Sequence, residues 1–161
     1  NDAIIIASGT TVLAFARCIP PEAQLTVLTS AMNVAMALLN CQQVEVIQLG
    51  GIVRHTSSSV TGEYALRMLE NFSGTKLFLG VDGIDLKYGL TTTNFMEASV
   101  NRAMIDAAQK IIVLTDSSKF GRRGFGKICE LDAVDQIITD SGVSSKVVRE
   151  LEELGIKVSI V

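Results

Sequence analysis

Short apolar runs rich in β-branched residues recur along the chain, separated by longer stretches whose apolar residues fall three or four apart. Residues 3–7, 25–29, 44–49, 76–81, 110–115, 136–140 and 157–161 are runs of the first kind and read as strands, about seven in all. Several are apolar at consecutive positions, as strands covered on both faces are. Helical period marks residues 10–18, 31–40, 61–71, 95–109 and 144–154, with Gly155 placed to stop the last. Within 95–109, Met96, Val100, Ala103, Met104 and Ala107 make one apolar stripe, which is expected to face the core, and Thr93 or Asn94 can cap the start. Strands alternating with helices predict an α/β fold, with an open, mostly parallel sheet and helices on both faces. The longest stretch without period, 117–127, holds three glycines and four cations and is expected to be a loop or hairpin folded over one edge.

Composition sharpens this picture. With 161 residues, 48% of them hydrophobic and 19% charged, the chain can bury one substantial core, and no repeat or linker divides it. A net charge of −3 leaves no basic stripe for tracking phosphates, so this segment is not expected to hold DNA itself. Cys18, Cys41 and Cys129 are too far apart for a zinc site or a disulfide framework, which fits a reducing cytoplasm, and neither metal nor cofactor is expected. No apolar run approaches the roughly 20 residues of a membrane helix. Asn1 leads almost directly into a strand-like run, which reads as an internal cut rather than a leader.

Ligands of open parallel sheets bind beyond the carboxyl ends of the strands, so those turns are where chemistry is expected. The first turn, Ser8-Gly9-Thr10-Thr11, opens a helix; its amides suit a phosphate, although Ser8 or Thr10 could simply cap it. Thr29-Ser30 and Gly50-Gly51 put small or hydroxylated residues at the next two strand ends, where ordinary turn chemistry is the other reading. Asp82-Gly83-Ile84-Asp85 follows the fourth strand, and its carboxylates either accept hydroxyls of a polyol or belong to an Asp-Gly turn. Thr91 and Thr92 precede a helix that carries Glu97 in its first turn and Asn101 one step further on the same face. Glu97 can reach the strand ends or serve as a surface acid favoured by the helix dipole. Lys119 comes after the fifth strand and could neutralise a phosphate. Arg122 and Arg123 are expected to be a solvated basic loop, and His55, beside Arg54, to be structural or superficial.

In order, S-G-T-T, L-G-G, V-D-G-I-D, G-L-T-T, E-A-x-V-x-R-x-M and T-D-S-S-K-F-G resemble the C-terminal sensor domain of DeoR-family bacterial repressors, from about residue 4 to residue 140. The resemblance implies a fold similar to ribose phosphate isomerase and CoA-transferase-like proteins. It implies a phosphorylated sugar as effector, homo-oligomers, and DNA contact through an N-terminal winged helix-turn-helix outside this chain. Phosphate would meet Gly9, Thr10 and Thr11, with Gly50, Gly51 and Lys119 nearby, and sugar hydroxyls would meet Asp82, Asp85 and Glu97. Ser8, Thr29, Ser30, Arg54, Gly83, Thr91 and Thr92 complete the expected site. In the isomerases the matching acids transfer protons, so a sugar-phosphate isomerase is the alternative. Ala7 stands where the family usually has an aspartate and Asn101 where it usually has a lysine, which implies a changed contact to the ligand.

Overall fold

The computed structural model describes residues 2–161. The chain begins β1 (Asp2–Ile6), α1 (Thr10–Arg17), β2 (Leu25–Thr29), α2 (Met32–Leu38) and β3 (Val44–Gln48). The strands β4 (Ile52–Arg54) and β5 (Ser59–Thr61) and helix α3 (Glu63–Leu69) lead to β6 (Gly74–Leu79). Next come β7 (Gly83–Asp85), β8 (Gly89–Thr92), α4 (Phe95–Asp106) and β9 (Ala108–Leu114). A 3-10 turn at Ser117–Lys119 precedes β10 (Gly126–Cys129), β11 (Gln136–Thr139), α5 (Ser145–Glu153) and β12 (Lys157–Ile160).

Seven strands form one parallel sheet in the order β12-β11-β9-β6-β1-β2-β3. All seven are the runs expected from the sequence. The chain lays β1, β2 and β3 outward in one direction, returns to place β6 against the other side of β1, and then continues outward through β9, β11 and β12. Crossovers between parallel strands are right-handed, so reversing direction moves the later helices to the opposite face. Side chains alternate accordingly. Ile4, Ile6, Val27, Ile112 and Leu114 pack with Val12, Ala16, Val34 and Leu38 of α1 and α2. Ile5, Leu28, Leu77, Leu79, Ile111, Val113 and Ile137 pack with Ala65, Ala98, Met104 and Leu151 of α3, α4 and α5. Ile5, Ile6, Leu77, Leu79 and Ile137 are fully buried, each worth roughly 1.5–3 kcal/mol of apolar transfer.

Two small antiparallel units sit beside the main sheet and were not among the expected elements: the β4-β5 pair and a three-stranded sheet in the order β10-β8-β7. The segment 117–127 is largely the expected loop, with no hairpin of its own. It runs from the turn after β9 into β10, which pairs with β8 and packs against α4. The expected helix at 61–71 is shorter because Thr61 is the last residue of β5, facing Ile52. Asn94 does cap α4, accepting from the N–H groups of Met96 and Glu97 at 3.0 and 3.1 Å. Gly155, at φ 83°, ends the turn after α5. All three cysteines are free, and burial, then Asp132 and Glu130, push the Cys129 thiol up to about 12. Among the described residues no helix is long and apolar enough to cross a membrane, and no three His, Cys, Asp or Glu side chains gather as a metal site.

Candidate functional site

Because β1 and β6 are neighbours whose following segments diverge, a gap opens beyond their carboxyl ends, the usual ligand crevice of a doubly wound sheet. The turns after the two strands meet at its floor. A methyl group on Gly80 would lie 3.1 Å from the Ser8 carbonyl oxygen, and Gly9 holds φ at +135°, so glycine is what lets the turns approach. The resulting cleft measures about 320 Å³. Its walls come from the turn after β1, the start of α2, the β4-β5 hairpin, the ends of β6, β8 and β9, and one face of α4.

Part of the lining suits an anion. Gly9 is the N-cap of α1 and no side chain caps the helix, so neither Ser8 nor Thr10 plays the capping role. The first intrahelical bond runs from Leu13 N–H to the Gly9 carbonyl at 3.0 Å, and the N–H groups before Leu13 have no place in the helix ladder. They add to the positive end of the helix dipole. Thr10 and Thr11 are exposed beside them, and Lys119 lines the same space with no carboxylate within ion-pair distance among the described residues. Arg54 enters from the hairpin. Its Nε lies 3.4 Å from Glu97 Oε1, yet the angle makes no hydrogen bond, and Nε remains a buried donor without a partner. Such a group costs roughly 1–3 kcal/mol until something accepts from it.

The rest of the polar lining is acidic and amide-bearing. Asp82 Oδ2 accepts from Thr92 Oγ1 at 2.8 Å and from the Thr93 N–H at 3.0 Å, which fixes the carboxylate at the end of β8. Glu97, with its side chain 12% exposed, accepts from Ser59 Oγ at 3.3 Å as well as facing Arg54. One turn along α4, Asn101 is only 6% exposed, borders the cleft, and has no side-chain hydrogen bond among the described residues. Across the cleft, Asn33 Oδ1 is buried without a donor. Groups that suit an anion and groups that suit hydroxyls thus line one cleft.

Of the residues expected from the sequence, Ser8, Gly9, Thr10, Thr11, Arg54, Asp82, Thr92, Glu97 and Lys119 line the cleft, and Thr29, Ser30, Gly50, Gly51, Gly83, Asp85 and Thr91 do not. Thr29 Oγ1 accepts from the Ala31 N–H, and the Ser30 carbonyl accepts from the Val60 N–H, so both residues serve the turn into α2. Gly50 is open to solvent, while Gly51 lies against the Thr61 carbonyl. Gly83 leaves room for the backbone of Arg122, and Thr91 Oγ1 accepts from the Gly124 N–H at 2.7 Å. Asp85 accepts from the N–H groups of Lys87 and Tyr88 and pairs with Arg123 at 2.8 Å. Arg123 is thus not merely solvated: its guanidinium also lies 4.7 Å from the Tyr88 ring centre, with the Lys127 ammonium 4.5 Å from the same ring. These contacts tie the segment after Lys119 to the small sheet.

That tie responds to pH. The Arg123 guanidinium, then the Tyr88 and Lys87 amides, hold Asp85 at about 2 against its ordinary 3.8. As pH falls, the unfolded chain takes up this proton first, so the stabilisation is complete above pH 4 and is lost toward pH 2. Urea midpoints measured across that window are expected to fall less steeply for Asp85→Asn than for the parent chain. Parallel curves would remove Asp85 from the acid response.

Asn101, whose departure from the family implied a changed ligand contact, lines the cleft, and so do Asn33, Thr56, Ser57, Ser58 and Thr93, which were not in the expected site. The one available signal was polarity out of place: Asn33 interrupts the apolar opening of α2, and the 56–59 run of hydroxyls follows a strand end by only a few residues.

A parallel sheet with helices on both faces and a polar cleft at the point where its strand order reverses defines a doubly wound α/β domain. Accordingly, the chain is similar to ribose 5 phosphate isomerase A from Neisseria gonorrhoeae, with a TM-score of 0.51 at 14% identity over 76% of this chain and 47% of that one, a likeness of fold alone. Residues 1–141 match the DeoR C terminal sensor domain, and the chain belongs to that family. It is 41% identical over 158 residues to a provisionally named aga operon transcriptional repressor of Escherichia coli O157:H7, covering 98% of this chain and 59% of that protein. It is 37% identical over 161 residues to the uncharacterized HTH-type transcriptional regulator YulB of Bacillus subtilis, covering 100% of this chain and 62% of that protein. The chain thus spans about three-fifths of the curated relatives it matches.

Proposed function

We propose that this domain senses a phosphorylated sugar on behalf of a cytoplasmic, homo-oligomeric transcriptional repressor, whose DNA contact is made by a separate N-terminal winged helix-turn-helix. The observation that carries the reading is the uncapped N-terminus of α1 opening into the same cleft as Lys119, Arg54, Asp82 and Glu97. Free helix amides and a lysine are the chemistry of phosphate capture, and carboxylates held by protein donors are acceptors for sugar hydroxyls. The names of the relatives support a regulatory role. Both acids are committed to partners, Asp82 to Thr92 and Thr93 and Glu97 to Ser59 and Arg54, which suits recognition better than proton transfer. An effector shifts a repressor between DNA-competent and released states only through different affinity for the two.

The test is thermal. At a hundredfold excess over its dissociation constant, a ligand of the native state adds about 2.7 kcal/mol, which for a domain of this size raises the melting temperature by roughly 5–10 °C. Pentose and hexose phosphates are expected to include at least one that does so while the matching free sugar does not. No shift with any phosphate would overturn the reading, and conversion of an aldose phosphate to its ketose would replace it with an isomerase.

A further inference from the structure

Resting on the phosphosugar reading, we infer that the cleft selects a ligand with one phosphate and an otherwise uncharged, hydroxylated body, and that Asn101 is the residue that sets this choice. Charge comes first. The ionisable side chains lining the cleft are Arg54, Lys119, Asp82 and Glu97, two of each sign, so their charges cancel. What remains positive is the N-terminal end of α1, which is enough for one phosphate and is already engaged by it. A second anionic group would have to lie elsewhere in the same cleft. There it would meet the carboxylates of Asp82 and Glu97 and the neutral amide of Asn101, with Arg54 drawn toward Glu97.

Burial comes second. Asn101 sits among Ala98, Val100 and Met104 on the packed side of α4 and is largely buried as a residue, while its side chain borders the cleft and makes no hydrogen bond to protein among the described residues. A side-chain amide that borders a cleft and is not engaged by protein is free to bond whatever occupies the cleft. An amide both donates and accepts, as a hydroxyl does. It matches a sugar hydroxyl and offers no countercharge to a carboxylate or phosphate. Asn33 makes the same demand from the opposite wall, where its buried Oδ1 lacks a donor that a hydroxyl would supply. Size agrees, since about 320 Å³ is at the low end of the roughly 300–1,000 Å³ range of ligand pockets.

The experiment compares melting shifts of the whole chain with ribose 5-phosphate and glucose 6-phosphate, with fructose 1,6-bisphosphate and 6-phosphogluconate, and with inorganic phosphate. A monophosphate of a neutral sugar is expected to bind at least roughly tenfold more tightly than the bisphosphate or the phosphorylated acid. In Asn101→Lys that order is expected to reverse. In Asn101→Leu the empty chain is expected to melt no lower than the parent, because no protein hydrogen bond is lost and the new side chain is of similar size, while the monophosphate loses roughly tenfold in affinity. A parent chain that prefers the bisphosphate or the phosphorylated acid overturns the inference while leaving phosphosugar binding in place, whether or not either variant folds. Unchanged monophosphate affinity in Asn101→Leu overturns it as well. Silence from every phosphate compound removes the ligand class itself.

Discussion

Gly89→Ala is expected to destabilise the fold by roughly 2–6 kcal/mol, combining backbone strain with a steric clash, and to lower the melting temperature on the order of 10 °C. Gly89 starts β8 at φ +107°, a conformation that a side chain resists, and a methyl group there would run into the Cys129 carbonyl of β10. Neither side can give easily, because Gly89 is in register with Asp85 of β7 while Cys129 is held opposite Leu90. Gly155→Ala is the control. Its φ is +83° but nothing lies within 4 Å of the added methyl, so only the conformational cost remains, about 1 kcal/mol. The two variants can be compared by urea unfolding, and equal losses would mean that β8 and β10 can separate without penalty. The damage should also reach the cleft, since β8 ends in Thr92 and continues into Thr93, the two residues that orient Asp82.

That dependence of the cleft on a small sheet explains what could be read from the sequence. The seven strands of the main sheet are apolar and β-branched because helices or packed side chains cover both faces, and that pressure leaves its mark in runs such as Ile4-Ile5-Ile6 and Ile111-Ile112-Val113-Leu114. By contrast β5 reads Ser-Val-Thr, β7 Gly-Ile-Asp and β8 Gly-Leu-Thr-Thr. Three or four residues of this kind carry no period; their pairing is decided by tertiary contacts. The site divides in the same way. Ser8 to Thr11, Asp82 and Lys119 follow strands of the main sheet and were found by the rule that ligands lie at carboxyl ends. Asp85 obeyed the same local pattern, yet its carboxylate is taken by Arg123, 38 residues away, a pairing no local pattern reveals. Asn33 and Asn101 reach the cleft from opposite faces of the sheet, which becomes visible only once the chain has folded back on itself.

Lys119→Ala is expected to weaken a phosphorylated ligand by roughly 10- to 100-fold, the value of one charge-assisted hydrogen bond, and to leave affinity for the corresponding free sugar unchanged. The lysine lines the cleft and has no carboxylate partner within ion-pair distance among the described residues, so its loss should cost the empty chain little, within about 0.5 kcal/mol. Its charge is also reached by salt. Affinity of the parent chain for the phosphate should therefore fall more steeply with ionic strength than that of the variant, because exposed charges are screened beyond roughly 8–10 Å at physiological salt. Glu97→Gln gives the opposite signature. It weakens the acceptor of Ser59 and removes the countercharge of Arg54, on the wall assigned to the sugar body, so phosphorylated and free sugars should lose together. Titration calorimetry on the two variants at low and high salt separates the ends of the cleft. If Lys119→Ala weakened free and phosphorylated sugars alike, Lys119 would serve the sugar body, and the anion would have to rest on the α1 amides and Arg54 alone.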